Sequence, residues 1–172
     1  MHADHPNRKP TRMRGFDYSR NRAYFITVCT QERKALLADI CRGGALLLPI
    51  GELVEQQLLD LPAKYDVVID KYVIMPNHIH MILVLCSGRD GEEQSPSPTL
   101  SDVVCLFKSI TTKQANRMDG NPGRRIWQRS FHDHIIRNEQ DYEMIWRYID
   151  ENPQRWEQDC FFQNSERETS KP

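Results

Sequence analysis

The amino-acid sequence predicts an α+β domain of the ferredoxin-like, split βαβ type, in which helices pack on an antiparallel sheet. Apolar patterns follow the order strand, helix, strand, strand, helix, strand, and an additional helix follows toward the C-terminus. The length of 172 residues suits one domain with an ordinary core, and the sequence contains no internal repeat. We therefore expect one domain at residues 23–156, with a basic arm at 1–22 and a polar, acidic tail at 157–172.

The first strand and the first helix are predicted from composition and spacing. Residues 24–29 are mostly aromatic or β-branched, which is typical of a strand. From Ile50 the apolar residues recur at helical spacing as far as Leu61, and Pro62 marks the end of this amphipathic helix.

A hairpin of two strands is predicted at residues 67–75 and 78–85. Both runs are apolar and rich in β-branched residues, and Pro76 and Asn77 between them are typical of a turn. After its histidines the second run is apolar at every position, so it should be a central strand that is covered on both faces.

The second half of the chain predicts two helices and an edge strand. Residues 87–98 lack apolar side chains and should form a mobile loop before the second helix. A short edge strand is expected at 131–137, and Asn138 with Asp141 resembles the cap of a third helix that ends near Pro153. The buried stripes of the two helices are formed by Leu100, Val103, Val104, Phe107 and Ile110, and by Tyr142, Ile145, Trp146 and Ile149.

Composition excludes several classes of protein. Hydrophobic residues make up 39% of the chain and charged residues 27%, and no run approaches the roughly 18 apolar residues of a membrane span. The five cysteines are odd in number and never form a Cys-x-x-Cys pair, which argues against a disulfide framework and a zinc ribbon. No apolar segment of a secretory signal follows the basic N-terminus. We expect a soluble, cytoplasmic protein without a membrane partner.

The net charge of −1 hides two basic blocks. Residues 1–22 contain six basic and two acidic residues, and residues 104–137 contain seven basic and two acidic residues. Such blocks fit a phosphate-binding surface, although charge scattered over solvated faces is the alternative interpretation.

The sharpest local feature is His78-Ile79-His80 at the start of the predicted central strand. Side chains two apart on a strand project from the same face, so the two imidazoles could share one metal ion. Surface or core histidines are the alternative. The strand context favours a metal site, because buried imidazoles without a partner are costly.

Tyr148 and Asn152 lie on or beside the third helix. At about 100° per residue, Tyr148 is about 110° from the centre of the core stripe, so it should leave the core, whereas Tyr142 belongs inside it. Asn152 follows one turn later on nearly the same side, although Pro153 loosens the helix there. The phenol and the amide oxygen could therefore both face the histidine pair, although a surface tyrosine is the alternative.

Seven stretches, taken in order, resemble one protein family. They are GFDY at 15–18, YFITVCT at 24–30, MPNHIH at 75–80, FKS at 107–109, WQRSF at 127–131, DHIIR at 133–137 and YIDENP at 148–153. On these motifs the chain resembles the REP-associated tyrosine transposases, of the single-strand HUH insertion-sequence superfamily. The match extends from about residue 8 to about residue 156.

The resemblance implies a chemistry and a site. It implies that His78 and His80 bind a divalent ion, Mg²⁺ or Mn²⁺, that Tyr148 is the nucleophile and that Asn152 is a further metal ligand. Nicking of hairpin or single-stranded DNA would then proceed through a 5′-phosphotyrosine, with a second strand able to reverse the step. Two alternatives are a domesticated hairpin-binding protein that does not cut, and a metal hydrolase that activates water. Both a monomer and a homodimer remain open, and the location would be close to the nucleoid.

The resemblance also suggests which residues contact DNA. Trp127, with Phe131 and Tyr18, could stack on unpaired bases or be buried in the core. His134 could support the metal site, touch DNA or be structural, and His132 departs from the aromatic residue frequent in relatives. The expected phosphate contacts are Arg8, Arg12 and Arg14 in the arm, and Lys108, Lys113, Arg117, Arg124, Arg125 and Arg129 in the second basic block.

Overall fold

The computed structural model describes residues 22–41, 44–86 and 98–162 of the chain. The expected DNA contacts Arg8, Arg12 and Arg14, together with Tyr18, nearly all of the 87–98 loop and the last ten residues of the predicted tail, lie outside the described residues. The strands are β1 (Arg22–Cys29), β2 (Ala38–Cys41), β3 (Gly44–Leu47), β4 (Val67–Ile74), β5 (His78–Leu85) and β6 (His132–Ile136). The helices are α1 (Pro49–Leu59), α2 (Leu61–Lys64), α3 (Leu100–Met118) and α4 (Glu139–Glu151).

A four-stranded antiparallel sheet in the order β4-β5-β1-β6 forms the centre of the fold. β5 pairs with β1 and β4, and it is buried along nearly its whole length. β6 lies at an edge of the sheet. The predicted α+β class, the central position of β5 and the edge position of β6 are therefore confirmed.

The two faces of the sheet are covered by different helices. Alternate residues of β1 and β5, such as Ile26 and Met81, pack in one cluster with Phe107 of α3 and with α1. The residues that alternate with them along the strands, such as Ile82, point to the opposite face and pack with Ile149 of α4 in a second cluster. His78 and His80 have the same parity as Ile82, so they lie on the face that α4 covers.

The helix ends follow local hydrogen-bond chemistry. Thr99 and Asp102 form a reciprocal capping box at the start of α3, and the Asn138 side chain accepts from the backbone N–H of Asp141 at 2.9 Å. The cap expected for α4 is therefore present. Beyond α4 the chain tightens into a 3₁₀ turn at Asn152–Gln158, with Pro153 in its first turn, where no backbone N–H is needed. No helix in the described parts of the chain is long and apolar enough to cross a membrane.

The short hairpin of β2 and β3 was not predicted. Each strand has only four residues and a mixed burial pattern, so neither gives a clear period-two signal. The hairpin is followed by Gly51 of α1, which packs directly on the backbone of Leu37. A Cβ at Gly51 would lie 1.9 Å from the Leu37 carbonyl oxygen, so only glycine permits this approach.

Candidate active site

The two histidines of β5 lie side by side in the interior. His78 is 0% exposed and His80 is 2% exposed, and their ring centroids are 4.5 Å apart. In the sheet, His78 is opposite Cys29 and His80 is opposite Thr27. The structure therefore places both rings on one face, as the spacing predicts.

Tyr148 reaches this pair from α4. Its hydroxyl lies 3.2 Å from Nε2 of His80, and its side chain is 41% exposed. Phe25 of β1 stacks on the His80 ring at 5.2 Å and meets Tyr148 edge-on at 5.9 Å. The phenol thus has one side against the histidines and another open to solvent, which suits a group that must meet a large substrate.

Two contacts between α4 and β4 fix the helix over the site. The Tyr142 hydroxyl donates to Asp70 at 2.6 Å, and the Lys71 ammonium donates to Asp150 at 2.6 Å. The same ammonium lies 3.9 Å from the centre of the Trp146 ring. These contacts lie on both sides of Tyr148 along the helix.

Asn152, the first residue of the 3₁₀ turn, is 2% exposed. Its Nδ2 donates to Oδ2 of Asp159 at 3.1 Å, which leaves Oδ1 as the free end of the amide. Oδ1 of Asn152 and Nε2 of His78 are both buried, and neither has a hydrogen-bond partner in the described parts of the chain. Two buried acceptors without a donor are costly, and a cation would satisfy both.

Asp159 is a site residue that the sequence reasoning missed. Ligand atoms of His78, His80 and Asp159 all lie within 4.8 Å of one another. The Phe161 ring is 4.6 Å from that of His78, and the Arg33 guanidinium donates to the carbonyl of Cys160 at 3.0 Å. Residues 159–162, within the predicted polar tail, therefore pack on the site. The apolar pair at 161–162, within an otherwise polar segment, was the available signal.

Burial keeps both imidazoles neutral. Burial lowers the pKa of His78 to about 4; the charge of Arg33 acts in the same direction and that of Asp159 opposes it. Burial, and then the neighbouring His78, hold the pKa of His80 well below its usual value. At neutral pH the two rings therefore offer lone pairs, as metal ligands must.

The tyrosine is held in its protonated form. Burial and the charge of Asp159 raise the pKa of Tyr148 to about 12. Its hydroxyl lies 3.2 Å from Nε2 of His80, whose Nδ1 is already engaged by the Thr27 hydroxyl at 2.8 Å. Nε2 of His80 is also the atom through which that ring would hold a cation.

Several of the residues predicted to contact DNA line one groove. Lys108, Lys113, Arg125 and Arg129 surround a cavity of about 400 Å³ between α3 and the loop that follows it. Lys108 is partly committed to this loop, since it donates to the carbonyl of Ser130 at 2.8 Å. Arg117 is exposed at the end of α3, outside the groove lining.

Trp127 and Arg124 are engaged within the protein. Trp127 is 6% exposed, and its indole N–H donates to the Thr111 hydroxyl at 2.8 Å, so burial favours its core role over base stacking. Arg124 forms an ion pair with Asp119. Its guanidinium would have to exchange this partner to reach a phosphate.

The remaining histidines lie on β6. His134 is opposite Phe25 in the sheet, is exposed and pairs with Asp141 at 2.9 Å. The Asp141 contact ties it to the start of α4. His132 is opposite Thr27 and is also exposed.

With this geometry established, the chain can be compared with known proteins. An uncharacterised protein from Haemophilus influenzae is 31% identical over an alignment of 170 positions. The alignment covers 91% of this chain and 93% of that protein. Among solved structures, a REP-associated tyrosine transposase bound to a REP hairpin has a TM-score of 0.52 and 24% identity, over 78% of this chain and 68% of that chain. A candidate transposase from Deinococcus radiodurans R1 has a TM-score of 0.51 and 16% identity, over 81% of this chain and 95% of that chain.

The two solved structures share the fold of this chain. A family model described as transposase, IS200-like, matches residues 19–152, which include both histidines, Tyr148 and Asn152. The resemblance drawn from the seven sequence motifs is thereby confirmed. The chain belongs to the IS200-like transposase family.

Proposed function

We propose that this protein is a metal-dependent tyrosine nuclease and strand-transferase that acts on single-stranded or hairpin DNA. The observation that carries the proposal is the 3.2 Å approach of the Tyr148 hydroxyl to His80, beside two buried acceptors without a donor. The solved relative bound to a REP hairpin supports hairpin DNA as the class of substrate.

The residues of the site fit a divalent cation. Nε2 of His78, Nε2 of His80 and Oδ1 of Asn152 would hold it, and Asp159 would add a carboxylate oxygen. This mixed nitrogen and oxygen set is compatible with Mn²⁺ or Mg²⁺. A bound cation would supply Lewis-acid polarisation of the scissile phosphate.

The protein's own contribution is the nucleophile and its placement. The Tyr148 oxygen attacks phosphorus and loses its proton, the bond from phosphorus to the 3′ oxygen breaks, and the leaving 3′ oxygen takes up a proton. The product is a 5′-phosphotyrosine and a free 3′-hydroxyl. Because the ester bond is conserved, the 3′-hydroxyl of another strand can reverse the step without ATP.

Basic residues near the site would hold the backbone of the DNA. The groove lined by Lys108, Lys113, Arg125 and Arg129 adjoins the loop whose residue Gln128 bonds to the backbone of Cys29. Cys29 is itself opposite His78, so the groove approaches the histidine end of the sheet. A strand whose phosphates followed this groove would lead toward Tyr148.

The test is covalent capture of DNA. Protein, Mn²⁺ and an end-labelled hairpin oligonucleotide with single-stranded flanks are mixed and separated on a denaturing gel. We expect a protein–DNA adduct in the wild type and in Tyr65→Phe, which changes the tyrosine at the end of α2, and none in Tyr148→Phe. Tight binding without an adduct on a panel of hairpins would instead indicate a hairpin-binding protein that does not cut. Undiminished cleavage by Tyr148→Phe would indicate a hydrolase that activates water.

A further inference from the structure

Asn77 lies at the centre of the site, although it is not one of the proposed ligands. It is 2% exposed and stands directly before His78, in the turn between β4 and β5. Its backbone carbonyl accepts from the backbone N–H of Thr30 at 2.9 Å and from the Thr30 hydroxyl at 3.1 Å. The backbone of Asn77 is therefore held in place independently of its side chain.

Two backbone carbonyls determine which way the Asn77 amide points. Nδ2 donates to the carbonyl of Arg33 at 3.1 Å and to the carbonyl of Phe161 at 2.8 Å. A carbonyl oxygen can only accept, so the NH₂ group must face these two atoms and Oδ1 must face away from them. Oδ1 lies 2.9 Å from Nδ1 of His78.

The amide orientation dictates the position of one proton. Because Oδ1 of Asn77 can only accept, Nδ1 of His78 must carry the hydrogen of that bond. A neutral imidazole has one N–H, so Nε2 keeps its lone pair. Nε2 of His78 is the buried atom that has no donor in the described parts of the chain.

We propose that Asn77 is a positioning residue that fixes His78 in the Nδ1–H tautomer and so presents the Nε2 lone pair to the cation. This inference rests on the proposed metal site. Partners that orient metal-ligating histidines in this way are worth about 10- to 100-fold in metal affinity. The same amide ties the 3₁₀ turn at Gln31–Arg33 and the backbone at Phe161 to β5, so three segments depend on it.

The test measures the His78 tautomer and the Mn²⁺ affinity in separate experiments. The tautomer of His78 is read from the ring ¹⁵N shifts of the metal-free, full-length protein by NMR, with His78→Gln used to assign the signal. Mn²⁺ affinity is measured separately by titration calorimetry. The variants are Asn77→Ala, which removes the acceptor, and Asn77→Asp, which keeps an acceptor beside Nδ1 but loses both donors. Asn116→Ala is the matched control, because it removes an amide that bonds to the carbonyl of Arg124, away from the histidines.

We expect the Nδ1–H tautomer in the wild type, in Asn77→Asp and in Asn116→Ala, and a mixture of tautomers in Asn77→Ala. Mn²⁺ affinity should fall by about 10- to 100-fold in Asn77→Ala and be largely restored in Asn77→Asp. An Nε2–H tautomer in the wild type would overturn the inference without any variant. Two results for Asn77→Ala would also overturn it. One is a loss of Mn²⁺ affinity while the His78 tautomer is unchanged, and the other is a change of tautomer while the Mn²⁺ affinity is unchanged. Should the wild type show the Nδ1–H tautomer and bind no Mn²⁺, the proposed metal site fails, whereas the assignment of the proton stands.

Discussion

At the scale of single residues, each proposed ligand has a partner that orients it. The Thr27 hydroxyl lies 2.8 Å from Nδ1 of His80, and Asp159 accepts from the Asn152 amide at 3.1 Å. Such contacts restrict ring and amide rotation, so the lone pairs converge before any ion arrives. Tyr148 differs from these residues, because its hydroxyl competes with the ion for Nε2 of His80.

This competition makes a prediction for Tyr148→Phe. Removing the hydroxyl removes a hydrogen bond worth about 0.5–1.5 kcal/mol, so the variant should bind Mn²⁺ about 2- to 10-fold more tightly than the wild type. Titration calorimetry without DNA measures the effect, and Tyr65→Phe is the control. Weaker binding by Tyr148→Phe would mean that the phenol assists the ion instead of competing with it.

Asp159→Asn tests whether Asp159, which the sequence did not indicate, contributes to the proposed metal site. Loss of the carboxylate charge should weaken Mn²⁺ binding about tenfold or more, because the cation loses an anionic oxygen close to both histidines. Glu157→Gln is the matched control, since it removes the same charge from an exposed neighbour. Equal losses in the two variants would assign the effect to general charge and not to coordination.

The buried histidines also predict how stability depends on pH. The folded protein resists protonation of His78 down to about pH 4, whereas the unfolded chain takes up the proton near pH 6.5. The unfolded state therefore gains protons first as the pH falls. The free energy of unfolding of the metal-free protein should decrease between pH 6.5 and 4, by about 3 kcal/mol from this residue.

Urea unfolding at several pH values checks this prediction. His78→Gln should show a shallower decrease than the wild type, and Asn116→Ala, which changes no titratable group, should follow the slope of the wild type. Parallel curves for all three proteins would show that protonation of His78 does not cause the decrease.

At the scale of elements, α4 couples the site to the core. Ile149 is 0% exposed beside Tyr148, and Met144 on the same helix is 60% exposed. The helix therefore presents Tyr148, the proposed nucleophile, from a face adjoining its buried stripe. Placement of the phenol depends on packing one residue away.

Ile149→Ala should destabilise the protein by about 2–5 kcal/mol, because it leaves a cavity beneath α4. It should also reduce formation of the DNA adduct at temperatures where the variant remains folded. Met144→Ala should change the free energy of unfolding by less than about 0.5 kcal/mol. Denaturant unfolding measures the free energy of unfolding of both variants. Similar losses of stability in the two would contradict the interpretation that Ile149 is buried and Met144 is exposed.

The main elements could be predicted because their patterns are long and regular. The His78–Leu85 strand and the helix with buried Tyr142 and Ile149 carry strong periodic signals. The alternation of side chains along β5 was enough to place His78 and His80 on the same face. The close approach of Tyr148 to His80 depends on tertiary packing. Helix geometry allowed Tyr148 to face the histidine pair, but the sequence indicated its place in the site mainly through the family resemblance. Asp159 joins the site through packing of the short segment at 159–162, for which no periodicity exists.

At the scale of the whole molecule, the charge distribution matters more than the net charge of −1. Lys113, Arg125 and Arg129 converge on the groove from two segments of the chain. Positive charge is thereby concentrated between α3 and the loop that follows it. Binding of DNA there should release counterions and depend strongly on salt.

Arg125→Gln with Arg129→Gln should weaken binding of single-stranded DNA uniformly across sequences. The slope of log affinity against log salt concentration should become shallower by about 1.4, since about 0.7 is lost for each of the two phosphate contacts. Fluorescence anisotropy across a salt series measures this slope. Lys34→Gln with Lys64→Gln, which removes two positive charges from exposed positions outside the groove lining, is the control for altered net charge. An unchanged slope in the arginine variant would place the DNA elsewhere.

The site also joins parts of the chain that are made at different times. Thr27 meets His80 across 53 residues, and Tyr148 meets His80 across 68 residues. A ribosome that adds about 5–20 residues per second needs about 3 to 14 s to travel from His80 to Tyr148. During that interval the nascent chain has its histidines but neither the phenol nor Asp159. On the proposed mechanism, a partly synthesised copy would therefore be unable to form the tyrosine–DNA bond, and translation itself would delay the chemistry until the fold could control it.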